Sequence, residues 1–282
     1  MTTPWTGPAG PPPGRGRGSD DAGLICGYLF ERTSDGTAQA LDADGAAAWL
    51  AARTASSSGF AWLHFNLNHA QAERWLVRHA GLSDTFYETL KDGSHSTRIE
   101  RDDDALIAVV NDVHFDFGFE PSDIATLWIS VGPHLVVTAR IQPLRTVDAL
   151  RTAVRAGESP RSSVALLETL MRTQADGLVG IVRGVTTRID RVEDELLSGR
   201  LDHKRARLGV LRRLLVRLQR LLAPEPAALF RLLQHPPAWM AEEDVQELHA
   251  AIEEQIRLQN PEAARQAVRK LLADTDAMIQ RN

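Results

Sequence analysis

The sequence contains one cysteine, Cys26, among 282 residues. A single thiol can neither close an intrachain disulfide nor supply a CxxC metal site, which fits a reducing compartment. No stretch approaches the roughly 18 apolar residues that span a bilayer, and the best runs, such as Ala105 to Val110, have the length of a strand. The expectation is a soluble, cytoplasmic chain that itself makes no membrane contact. The N-terminus lacks the charged-then-apolar layout of a signal peptide. No GxSxG, HExxH, P-loop or GxGxxG occurs, and Cys26 has no evident activating partner, so no residue set argues for an enzyme. A net charge of -5 offers no basic surplus for nucleic acid. No internal repeat is visible.

What remains is an ordinary globular composition, 43% hydrophobic and 24% charged, with enough chain to bury a substantial core. Residues 1–20 hold five prolines and five glycines and read as a disordered tail. Residues 23–140 read as mixed α/β. Strand-like runs cover Gly23 to Glu31, Gly59 to Leu67, Ala105 to Val113, Ile124 to Val131 and His134 to Ala139, with the third continuing into alternating Val113, Phe115, Phe117 and Phe119. Gly132-Pro133 supplies a turn between the last two. Helices fit at Gly45 to Arg53, Ala70 to Ala80 and Ser83 to Leu90, the last with Ser83 as N-cap.

The second half is helical. Pro143 to Ala156 is one helix. From Val164 the apolar positions Leu167, Met171, Leu178, Val182, Val185, Ile189, Val192 and Leu196 follow at spacings of three, four and seven, the seam of a long helix packed on another. Ser198-Gly199 breaks it, and Leu208, Leu211, Leu215, Leu218 and Leu222 resume the spacing, giving an antiparallel hairpin. Pro224 and Pro226 end that hairpin; a short helix to Gln234 and a third segment from Glu242 to about Gln259 follow. Asn260-Pro261-Glu262 combines an N-cap, a first-position proline and a first-turn acid, so a break is expected there with a separate helix to about Met278. The fold class is α+β, divided as tail 1–20, α/β domain 21–157, helical hairpin 158–235 and stalk-like helix 236–282.

Three groups could carry chemistry. Asp112, His114 and Asp116 alternate along a strand and could share a zinc ion, or form the solvated face of an amphipathic strand, which is the preferred reading. His64 reads as a hydrogen-bonded, partly buried histidine, and nothing gives it and His69 the geometry of a helical metal site. Arg200 to Arg220 holds eight basic residues and one acid, a solvated helix face without aromatics to stack on bases. Glu242, Glu243, Asp244, Glu247, Glu253 and Glu254 crowd the third segment. The first three suit a helix start, while Asp244, Glu247 and Glu254 share a stripe that would attract cations in a symmetric bundle.

The run from Arg220 through Leu233, then Pro236-Pro237-Ala238-Trp239 and Glu242-Glu243-Asp244, resembles the ZntB branch of the CorA superfamily. Trp62-Leu63-His64-Phe65-Asn66 resembles its W-x-H-L-D strand with Asn66 in place of Asp, and Arg98-Ile99-Glu100 resembles its R-P-R-V-E strand. The resemblance covers residues 23–254. It implies an α/β/α cytoplasmic domain with a mixed sheet, a long helical hairpin and a stalk-type helix. It further implies a homopentameric funnel and handling of a divalent cation, zinc before magnesium or cobalt. An acid before the R-P-x-V-E strand and one on a neighbour's stalk bind regulatory metal in CorA proteins, which implies Glu88 and Glu247 here. The Gly-Met-Asn selectivity motif is absent from this sequence. The resemblance therefore implies a sensing or funnel part without its pore, and the alternative is a membrane-free scaffold of the same fold.

Overall fold

A computed structural model describes residues 18–31, 37–53, 59–92, 97–102, 104–116, 118, 120, 123–197, 204–222, 228, 231, 232 and 234–258. Seven strands form one sheet: β1 Leu24–Phe30, β2 Gln39–Leu41, β3 Phe60–Asn66, β4 Arg98–Asp102, β5 Ala105–Val113, β6 Ile124–Val131 and β7 Leu135–Arg140. Their order is β2-β1-β3-β7-β6-β5-β4, and only β3 and β7 pair in parallel. The helices are α1 Ala43–Ala52, α2 Ala72–His79, α3 Asp84–Lys91, α4 Arg145–Arg155, α5 Ser163–Leu197, α6 Lys204–Leu222 and α7 Glu242–Leu258.

Both faces of the sheet are covered, which is why its central strands read as nearly unbroken apolar runs. Along β5, Leu106, Ala108 and Val110 face a cluster shared with α4, α5 and α7, while Ile107 and Val109 face α1, α2 and α3. The pleat sends alternate side chains to opposite sides, so one strand feeds two cores. The result is the expected mixed α/β/α sandwich. β3 starts at Phe60 because Gly59 sits at φ 93, where a Cβ would strike the Phe30 carbonyl oxygen.

The long α5 explains the width of its apolar stripe. Val164, Leu166, Leu167, Leu170 and Met171 are buried on the sheet side, each leucine contributing about 1.5–3 kcal/mol relative to exposure. Further on, Leu178, Ile181, Val185 and Ile189 meet Leu211, Leu214, Leu215 and Leu218 of α6 over Val113 and Ile124 at the sheet's end. The helix thus serves the sheet first and the hairpin second. α7 lies along α5 with the two helix starts side by side, so both run in the same direction.

One expectation is corrected. β5 stops at Val113, so the alternation does not run on to Phe115, which is 39% exposed. Ser83 stands at the N-cap position of α3 as expected, although its hydroxyl makes no capping bond there; Asp42 caps α1 with one at 2.7 Å. The break at Asn260-Pro261 and the helix after it lie outside the described residues, as do the side chain of Glu254 and residues 198–199.

Candidate cation-handling site

At the end of β5, Asp112 is 3% exposed, and its carboxylate is fully engaged. It accepts from the Thr146 backbone N–H (2.9 Å), the Thr146 hydroxyl (2.9 Å) and the Val113 N–H (2.7 Å). Leu144, at the N-cap position of α4, has no polar side chain to offer, so a strand carboxylate takes over its work. Burial pushes Asp112 up to about 6, against the opposing pull of those bonds. His114, just past the end of β5, keeps β-type pairing: its N–H donates to the Asp123 carbonyl, and it forms an antiparallel bridge with Leu144. The solvated-face reading is therefore overturned for Asp112, while His114 is half-buried and Asp116 exposed.

His64 lies within the sheet, 2% exposed rather than partly buried. The Arg140 Nε–H donates to its Nε2 (3.2 Å), so the ring proton sits on Nδ1 and faces the Thr138 hydroxyl (2.9 Å) and carbonyl (3.2 Å). Desolvation first, then Arg140, pushes His64 down to about 3, which keeps the ring neutral. The Trp62 indole donates to the same Thr138 hydroxyl at 2.9 Å. Cys26 is buried and pushed up to about 12 by desolvation, which removes it as a nucleophile. The W-x-H segment is thus a buried structural network.

Glu88 is exposed on α3, which Phe86 and a bond from the Trp128 indole to the Thr89 carbonyl fix to one face of the sheet. Asp244 and Glu247 belong to α7, which packs on the opposite face. The sheet separates the implied pair within one copy.

Asp244 and Glu247 instead share a partner that the sequence reading missed. Arg161, just ahead of α5, places Nη1 2.7 Å from Glu243 Oε1 and Nη2 3.1 Å from Asp244 Oδ1 and 2.9 Å from Glu247 Oε2. The bond to Glu243, first, raises the Arg161 pKa above its ordinary value. Ser162 caps α5 by accepting from the Ala165 N–H (3.0 Å) while donating to Asp244 (2.8 Å). Two parallel helix starts bring their positive ends together beside this guanidinium, and the acids of α7 offset that charge. The signal was present as Arg161-Ser162 before the apolar run from Val164, a helix-start pattern.

Among the described residues no group of three or more His, Cys, Asp or Glu could hold a metal ion within one copy. None of the described helices is long and apolar enough to cross a membrane. On α6, Arg212, Arg213, Arg217 and Arg220 line a shallow outer groove with Gly209 and Val216, while the leucines are buried behind them.

The chain is similar to known proteins over most of its length. The chain is 25% identical over 227 residues to the divalent cation transporter CmaX of Pseudomonas aeruginosa, covering 80% of this chain and 67% of that one. It is 22% identical over 183 residues to the zinc transport protein ZntB of Yersinia enterocolitica, covering 65% of this chain but only 56% of the relative. Its fold superposes on the crystal structure of the ZntB cytoplasmic domain from Vibrio parahaemolyticus with a TM-score of 0.66 at 15% identity, over 92% of this chain and 97% of that one. The family profile described as CorA-like Mg2+ transporter protein matches residues 57–280. The chain belongs to the CorA family, a family of ion transporters and not of enzymes.

Proposed function

We propose that this chain is the cytoplasmic part of a divalent-cation transporter at the inner membrane, and that it gathers and senses zinc in preference to magnesium or cobalt. The observation that carries this reading is the nearly end-to-end likeness to a ZntB cytoplasmic domain within a shared family. Five copies would form a funnel, with α7 acids raising the local cation concentration.

The positions of Glu88 and Glu247 suit such a ring. Residues on opposite faces of one sandwich meet only when copies join head to tail, which is the contact that closes a cyclic assembly. A cation would then bridge Glu88 of one copy and Glu247 of the next, with Asp244 and Glu254 on the same helix beside it. Asp112, His114 and Asp116 are left out of this site because both Asp112 oxygens are taken by Thr146 and Val113.

Calorimetry with zinc, magnesium and cobalt tests the reading on the wild type and on Glu88→Gln and Glu247→Gln. Weak zinc binding that either substitution diminishes is expected. Equal binding by both variants would remove the pair from the site. No binding of any cation would favour the scaffold alternative.

A further inference from the structure

We infer that Arg161 is an ionic latch that fixes where α7 departs from the α/β sandwich, so that the joint between α5 and α7 opens as ionic strength rises. This inference stands on geometry alone and does not require the transport reading.

The acids at α7 positions 243, 244 and 247 span one helical turn, and a single guanidinium reaches all three. Its two terminal nitrogens divide the work: Nη1 serves Glu243, and Nη2 serves Asp244 and Glu247. A planar fork can do this, whereas the point charge of a lysine can satisfy only part of it. The root of the latch is rigid, because Ser162 next to it caps α5 and also holds Asp244. Just before α7 the chain turns at Pro237–Met240, where the Met240 N–H donates to the Pro237 carbonyl. Apolar anchoring of the first turns comes from Met240 and Leu248, with Trp239 and Val245 half-buried against the same cluster, and the ion network adds the polar half of the joint. The direction of α7 at its start therefore leans in part on the ion network.

The network is also open to solvent. The Arg161 side chain is 38% exposed, Glu243 is 76% and Glu247 is 51%, while Asp244 is sheltered at 11%. Exposed ion pairs are screened by salt, and sheltered ones much less. Salt should thus strip Glu243 and Glu247 first and leave Asp244 on Ser162, which loosens the helix without detaching it. A joint of this kind yields to mobile ions by degrees.

Hydrogen exchange on the full chain tests the latch at the α7 amides from Val245 to Ala251, in wild type, Arg161→Gln and Arg161→Lys. The Gln variant should exchange about tenfold faster there, with the β5–β6 pair unchanged. Raising NaCl from ~50 mM to ~500 mM should speed the same amides in wild type and leave the Gln variant unmoved. The Lys variant should fall between them and keep part of the salt response. Equal protection in wild type and Gln variant, or a wild type insensitive to salt, would overturn the latch. So would equal acceleration across the sheet, which would make Arg161 a contributor to global stability only.

Discussion

Asp112 and Asp244 are both sheltered carboxylates that fasten the start of a helix, and they do so with opposite chemistry. Asp112 accepts its hydrogen bonds from neutral donors, two from Thr146 and one from Val113, with Arg145 adding only the smallest electrostatic pull, and it is buried between strand and helix. Asp244 meets a guanidinium and a hydroxyl at the protein's edge. The first arrangement is sensitive to protons and should respond little to salt. The second should respond to salt. The interior helix α4 is therefore held with little dependence on the ionic medium, whereas α7 is held at its start by a contact that the medium should loosen.

The largest effect is expected at the interior site. Asp112→Ala leaves the Thr146 N–H and hydroxyl without partners in the core, a cost of about 2–4 kcal/mol by urea denaturation. Asp112→Asn retains an acceptor and should cost less. Asp244→Ala, at the edge, should cost only about 1 kcal/mol, because Ser162 and Arg161 can turn to water. Equal losses at the two sites would dissolve the contrast.

The pH response sharpens the same contrast. Asp112 has a folded pKa near 6, above its usual 3.8, so the folded protein takes up a proton there that the unfolded chain does not. Stability from this group rises as pH falls from about 7 to 4. His64 acts the other way. Its folded pKa near 3 lies below the usual 6.5, so the unfolded chain takes the proton, and stability is lost as pH falls below 6.5. The His64 shift is the larger, so the wild type should weaken on acidification through that window. Asp112→Asn should weaken more steeply, and His64→Gln should flatten the fall. A shallower fall in the Asn variant would contradict the assignment.

Smaller effects fall on the surface. Arg161→Gln frees Glu247, so zinc should bind more tightly by a few fold in calorimetry if Glu247 is a ligand. Glu88→Gln should leave urea stability unchanged, since Glu88 is exposed on α3. With cysteines at 88 and 247, disulfides should form between copies and not within one, because the sheet separates the positions. Cys26 is buried and should stay silent.

Much of the fold was legible because its patterns are local. Apolar runs covered on both faces give β1, β3, β5, β6 and β7, and the three-four spacing gives α5 and α6. The three-residue β2 carried too little pattern to stand out. The site residues were less legible for two reasons. Asp112 lies within β5, but the face it shares is covered by the start of α4, a tertiary contact that alternation along one strand does not contain. Arg161 and Glu243 lie 82 residues apart and meet only because α5 and α7 pack in parallel, a tertiary fact that no local spacing contains. The separation of Glu88 from Glu247 likewise depends on α3 and α7 packing on opposite faces of the sheet.

The most direct test of cation handling between copies is sedimentation velocity at micromolar protein, with and without zinc, on wild type and Glu88→Gln. Zinc should shift the wild type toward larger species and leave the variant where it was, with a chelator reversing the shift. An unchanged wild-type profile on adding zinc, or an equal shift in the variant, would contradict a cation bridge between Glu88 and Glu247.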